Sequence, residues 1–284
     1  MKIAKKKKWI GVMFILPFLI GFAAFYLIPF LISIFYTFTF GSTKTVFVGF
    51  ENYIRVFSSP AFQLAVYNTA RFILIGVPLL FLISLVLSLL IHTALKRNAV
   101  FKTIYLYPMI VPSAAIVMIF QILFSDGGVM SALLPESVSS WLQSDYAFVV
   151  LLLLYVWKNC GYNVILISTG LSAIPQEYYE NADAEGANGW QKFRRITLPL
   201  MFPNFFFVTI ISIVNAFKVF REAYLLAGDT PHSSIYMLQH FMNNNFFNLN
   251  YQRLSIAALT VFIVIFALLA VFFVILRRKG DVEL

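Results

Sequence analysis

Apolar residues in this chain run in long stretches separated by short polar segments, and that alternation predicts helices that cross a bilayer. Six stretches can be drawn: Ile10–Phe38, Asn68–His92, Phe101–Phe124, Ala147–Leu171, Phe202–Leu226 and Ser255–Leu276. A crossing needs about 20 mostly apolar residues at 1.5 Å rise each. The first stretch exceeds that length and contains Pro17 and Pro29. Proline is tolerated in such helices where neighbouring groups satisfy the freed carbonyls, so one kinked helix is expected, with room for a short interfacial helix before it. The competing reading takes Lys5–Ile20 as a signal peptide, but no small-residue cleavage site follows its apolar core.

The polar residues inside these stretches are few and therefore informative. Lys158, Asn159 and Asn163 fall in the fourth, and Asn215, Lys218 and Arg221 in the fifth. Each set recurs at a spacing that puts its members roughly on one helix face. A charge at the bilayer centre costs about 2.5–3.5 kcal/mol on insertion scales, so such groups face protein or a water-filled cavity. Asn159, Asn163, Asn215 and Lys218 are candidate pathway residues for a hydroxyl-rich solute. Interhelical hydrogen bonding, or lysine snorkelling towards an interface, is the plainer alternative. Lys218 and Arg221 approach the outer end of their helix.

Composition agrees with a membrane solvent. Of 284 residues, 61% are hydrophobic and 12% charged, against about 25% charged in soluble domains. The net charge of +9 would suggest nucleic acid only if its distribution were ignored. The bases cluster at Lys2 and Lys5–Lys8, at Lys96, Arg97 and Lys102, at Lys192, Arg194 and Arg195, and at Arg277–Lys279. The alternate loops hold only Lys44, Arg55 and Arg253. Positive residues stay cytoplasmic, which puts both termini inside and gives no reason to expect nucleic acid. The fold class that follows is an all-α polytopic membrane protein with six transmembrane helices. A basic cytoplasmic N-terminus (1–9), a membrane domain (10–276) and a cytoplasmic tail (277–284) make up the chain.

Enzyme chemistry has no foothold. The lone Cys160 lies in an apolar helix, and His92, His232 and His240 lack metal-ligand spacing, so no metal is expected. Neither a phosphate-binding loop nor a nucleophile elbow is present.

The longest charged island is the loop 174–203. Four acids (Glu177, Glu180, Asp183, Glu185) precede three bases (Lys192, Arg194, Arg195). Glu177–Glu185 reads as a short helix with Pro175 in its first turn and Gly186 as its left-handed stop. Its acids suit the positive helix end. A second helix follows, with Trp190 and Phe193 on one face and Lys192 and Arg195 on another, and Pro199 breaks the chain before the fifth span. The small residues at the tip allow a partner's surface to approach closely.

Glu180-Asn181-Ala182, three residues, Gly186, nine residues, then Ile196-Thr197-Leu198-Pro199 resembles the EAA motif of ABC importer permeases, with Asn181 in place of the first alanine. Gly49-Phe50-Glu51-Asn52-Tyr53 followed by Asn68-Thr69, and Phe217-Lys218-Val219-Phe220 with Tyr224 and Gly228, are similar to the sugar permeases of the MalF, lactose and glycerol-phosphate type. The resemblance implies type I importer architecture in a bacterial-type plasma membrane, with the loop as a cytoplasmic coupling helix. It further implies a MalG-like second permease, two cytoplasmic ATPase subunits that bind ATP and Mg, and an extracytoplasmic solute-binding protein. No cofactor is then bound by this chain, and its only other neighbour is membrane lipid. By position, Glu180, Asn181, Ala182, Gly186, Ile196, Leu198 and Pro199 are the ATPase-coupling residues. The implied function is carriage of a carbohydrate, an oligosaccharide by this reading, through alternating access. An ion-driven secondary carrier or passive channel for small polar solutes is the alternative.

Overall fold

A computed structural model describes residues 13–41, 46–97, 104, 107–125, 127–130 and 140–279, with backbone alone for 91–97 and 275–279. The basic cluster at Lys2–Lys8, Lys44, Lys102, the start of the third predicted span and the last five residues lie outside the described residues.

Among the described residues, five helices are long and apolar enough to cross a membrane: α1 (Met13–Thr37), the segment Pro60–Leu90 of α3 (Pro60–Arg97), α5 (Ala147–Ala173), the pair spanning Phe202–Ala227, and Tyr251–Val274 of the last helix. The third predicted span appears as a shorter apolar helix, α4 (Ser113–Phe124). Pro112, at ψ 134°, caps it in extended geometry, because a proline ring at a helix start removes an amide and restricts the residue before it. One departure from an all-helical chain is a two-stranded antiparallel ribbon, β1 (Thr39–Phe40) with β2 (Val46–Phe47).

Prolines shape two of the helices in the same way. Ala23–Leu27 forms a widened turn in which the Ile28 N–H donates to the Ala23 carbonyl. Phe193–Thr197 does likewise, with the Leu198 N–H donating to Phe193. Each widened turn lies just ahead of a proline, Pro29 or Pro199. Proline has no N–H and crowds the carbonyl four residues back, so the ladder slips to five-residue spacing. Pro199 therefore does not break the chain as the sequence suggested. Helix continues through Leu198–Leu200, and the turn falls at Met201.

The chain divides into two compact units. The smaller one contains residues up to Gln63 together with Phe241–Ile265. Here Phe30 packs on Phe262 and Tyr36 on Tyr251, with ring centroids 5.0 and 6.0 Å apart. Buried Asn52, in α2 (Glu51–Phe57), donates to the carbonyls of Thr37 (3.2 Å) and Thr39 (2.8 Å), and the Tyr53 hydroxyl donates to Thr37 Oγ1. The Asn-Tyr pair noted in the sequence thus ties the end of α1 to the ribbon.

The larger unit holds Leu64–His240 and the residues from Phe266 onward. Its centre is α5, half of whose span window is buried, whereas the window of α1 has no buried residue. Apolar surface on that scale exceeds what a water-soluble monomer exposes, and lipid is its natural cover. Phe72, Leu80, Leu151, Tyr155 and Ile235 form one fully buried cluster, and Ile167, Met201 and Val208 another. Asn68 Nδ2 donates to the carbonyls of Ser233 (2.6 Å) and Tyr236 (3.0 Å), and Thr69 Oγ1 accepts from the Leu238 amide. The Asn-Thr pair therefore anchors the segment that follows the fifth span.

Two close approaches in this unit generate tests. A Cβ on Gly170 would lie 2.6 Å from Asn204 Cγ and 2.9 Å from Met201 Cε, and Asn204 is held by its bond to the Leu166 carbonyl. Gly170→Ala is expected to destabilise the reconstituted protein by about 1–3 kcal/mol, the usual cost of overpacking. Adding Asn204→Ala should recover part of that loss, read as non-additivity in thermal unfolding. His240 is fully buried, accepts from the Met237 amide at Nδ1, and stacks edge-on against Phe220. Burial lowers its pKa from 6.5 to about 4, against an opposing pull from Asp229. Below pH 6.5 the unfolded chain takes up a proton that the folded one refuses until about pH 4. Stability should fall across that window by roughly 3 kcal/mol, and a His240→Gln variant should flatten the dependence in denaturant titrations at stepped pH.

Candidate functional site

Two places concentrate polar chemistry, and both lie within the larger unit. The first is among the spans. Helices α5 and α8 (Phe202–Lys218) face each other with polar groups in register. The Tyr155 hydroxyl donates to the Ser212 carbonyl (2.7 Å), Asn163 Nδ2 donates to Ser212 Oγ (2.8 Å), and Asn215 Nδ2 donates to Asn159 Oδ1 (3.0 Å). Asn159 in turn donates to the Tyr155 carbonyl. On the other side of α5, the Ser88 and Ser168 hydroxyls share a 2.7 Å bond, and Ser84 lies 3.6 Å from Cys160 Sγ.

At one end of this polar seam a cavity of about 180 Å³ opens, lined by Tyr155, Lys158, Asn159, Asn215, Lys218, Arg221 and Glu222 among others. Three of the four sequence-derived pathway candidates, Asn159, Asn215 and Lys218, meet there. Asn163 stands apart. It is fully buried one turn further along α5 and is committed to Ser212.

Lys158 does not snorkel. It pairs with Glu222 of α9 (Phe220–Ala227), and both contact Ser113 at the start of α4: Lys158 Nζ donates to Ser113 Oγ at 2.7 Å, and Ser113 donates to Glu222 Oε1 at 2.8 Å. Glu222 is only 5% exposed. The sequence patterns did not single out this carboxylate. A signal was present, since Glu222 is seven residues from Asn215 and four from Lys218, on the same helical face. Ser113 carried no signal at all, because its partners are 45 and 109 residues away.

The second place is the loop 174–203. Helix α6 (Glu177–Ala184) carries Glu177 and Glu180 in its first turn, with Gln176 as its N-cap, so Pro175 lies just outside the helix and not in its first turn. The helix ends in a left-handed Gly186 at φ +77°. The Gly186 N–H donates to Asp183, and the Ala187 N–H reaches back to Ala182. These two bonds make a Schellman stop, whose φ glycine adopts at no steric cost. Asn188 and Gln191 then cap α7 (Gly189–Lys192) reciprocally at 2.8 and 2.9 Å. Tyr179 is bonded to buried Thr197 at 2.9 Å, and Lys192 to Asp183 at 2.7 Å, across the two arms. The result is a short helix–turn–helix whose turn is capped on both sides. Glu180, Asn181 and Gly186 are exposed at its outer side, as are Leu198 and Pro199, while Ala182 and Ile196 are half-buried. Trp190 is 68% exposed and stacks on Phe193. A large rigid ring left in the open beside a glycine with nothing within 4 Å of its would-be Cβ makes a surface shaped for contact.

Residues 73–279 match the family model described as binding-protein-dependent transport system inner membrane component. The chain is 31% identical to a probable ABC transporter permease protein, YesP, of Bacillus subtilis strain 168, over 87% of this chain and 84% of that one. It is 29% identical to the trehalose/maltose transport system permease protein MalF of Thermococcus litoralis, over 99% and 98% of the two chains. It is 27% identical to the arabinooligosaccharides transport system permease protein AraP of Bacillus subtilis, over 97% and 90%. Among solved structures it superposes on a chain of a bacterial ABC transporter that imports the acidic polysaccharide alginate, with a TM-score of 0.82 at 22% identity, covering 98% of this chain and 99% of that one. That likeness establishes the fold. This chain belongs to the family of binding-protein-dependent transport system inner membrane components, the non-enzymatic permeases of ABC transporters.

Proposed function

We propose that this chain is one of two permeases in an ATP-driven carbohydrate importer and that loop 174–203 is its cytoplasmic coupling element. The observation that carries the reading is the helix–turn–helix around Glu180–Gly186, whose turn is closed by caps on both sides, whose arms are linked by Tyr179–Thr197 and Asp183–Lys192, and whose tip is exposed. Two ATPase subunits, holding ATP and Mg, would grip this tip through Glu180, Asn181, Ala182 and Gly186. Ile196, Leu198 and Pro199 would carry the movement into the fifth span. The widened turn ahead of Pro199 leaves a joint with weakened backbone bonding at that point.

In this reading the third span is completed by α4, giving six crossings with both termini cytoplasmic. The basic residues 1–9 and the tail 277–284 flank the membrane domain 10–276. A MalG-like second permease would close the cavity at Asn159 and Asn215 into a pathway, and an extracytoplasmic solute-binding protein would deliver the sugar. Support comes from relatives that carry trehalose or maltose and arabinooligosaccharides by name, and from amides placed where hydroxyls would be bonded. The same relatives favour it over an ion-driven carrier or passive channel. The Lys158–Ser113–Glu222 cluster joins three helices at the cavity wall and would hold one of the two alternating states together.

Gly186→Asp should abolish sugar uptake in cells while membrane insertion stays normal. Aspartate tolerates the left-handed turn, so the loop folds, but its charge and bulk obstruct the ATPase cleft. Normal uptake by this variant would overturn the coupling assignment. At the cavity wall, Glu222→Gln should cost about 3–5 kcal/mol, because a cation is left buried without its partner. The double change Lys158→Met with Glu222→Leu should recover most of the thermal stability in nanodiscs.

A further inference from the structure

We infer that the cavity selects a carbohydrate bearing a negative charge, a carboxylate, sulfonate or phosphate group on the sugar; the inference rests on the carbohydrate reading above. Three bases, Lys158, Lys218 and Arg221, and one acid, Glu222, line the cavity. Glu222 is taken by Lys158 and Ser113. Lys218 and Arg221 are left facing the space, both exposed and without an acidic partner among the described residues. A neutral sugar needs only the amides of Asn159 and Asn215, which donate and accept. It gives no reason to turn two further cations towards the same space.

The arrangement suits an anion. Lys218 and Arg221 are three residues apart on either side of Val219, where α8 ends and α9 begins. That spacing puts both heads on one face. An arginine fork binds a carboxylate or phosphate through two parallel hydrogen bonds, and a lysine adds a point charge beside it. Asn215 lies one turn away on the same face, bonded at 3.0 Å to Asn159 of α5, and the two amides are there for the sugar hydroxyls. Anionic lipid headgroups present the same phosphate chemistry and would reach the same cations from the membrane surface, so the test separates the two sources.

The complete importer, held with ATP by a hydrolysis-deficient ATPase and placed in phosphatidylcholine nanodiscs, is titrated with trigalacturonate and with neutral maltotriose. Trigalacturonate should bind about tenfold or more tightly than maltotriose, and its affinity alone should fall when salt is raised from about 50 to 500 mM. Lys218→Gln and Arg221→Gln should each weaken trigalacturonate by about tenfold and weaken maltotriose by clearly less, so that the preference for the charged sugar falls. Equal or tighter binding of maltotriose would overturn the inference and leave the carbohydrate reading standing. If neither saccharide binds, both fall. If the two variants lose retention of phosphatidylglycerol in mixed nanodiscs but keep trigalacturonate affinity, the cations serve lipid and the inference is overturned.

Discussion

In a helix that no water reaches, every polar side chain must find its partner in protein, and this requirement organises the larger unit. Tyr155, Asn159 and Asn163 on one helix meet Ser212 and Asn215 on the next, each through a bond of 2.7 to 3.0 Å. Association of apolar helices in lipid gains little from the hydrophobic effect, so packing and such bonds select the pairing. Gly170 permits the approach by omitting the side chain that would strike Asn204. Specific register thus comes from a few polar atoms and one absent methyl group within a mostly apolar interface.

The same rule accounts for the cavity. Where the seam of paired groups runs out, Lys158 and Glu222 neutralise each other through Ser113, and beyond them the wall carries two cations facing the open space. A buried ion pair is weak evidence for net stability, since its desolvation can exceed its attraction. Its better-attested use is to specify an arrangement. Here it joins three helices, and a change in their spacing would break it.

The loop 174–203, by contrast, is held by capping. Schellman bonds close one helix, a reciprocal Asn188–Gln191 box opens the next, and Tyr179–Thr197 links the two arms. The Lys192–Asp183 pair lies at the surface, where such a pair adds little. With the backbone groups of its turn satisfied locally, the loop keeps its shape while its tip stays exposed. The exposed face is consequently free to be a contact surface.

Much of this was legible in the chain itself. Run length and hydropathy announced the spans, since solvent alone dictates their composition. The spacing from Glu180 to Pro199 announced the loop, since caps are local and leave sequence marks: Gly186 for the left-handed turn, Asn188 before a helix. Asn159, Asn215 and Lys218 stood out because polar residues are rare in such helices. What the tertiary structure decided is which partners those groups take. The separation of Asn163 from the cavity, the capture of Lys158 by Glu222 and the part played by Ser113 depend on helices far apart in sequence coming into one register. The continuation of helix through Pro199, by contrast, is a local choice that depends on whether a five-residue turn can absorb the missing amide. Local patterns encode elements because their physics is local; pairing across 45 to 109 residues is settled only when the packed helices exclude every other partner.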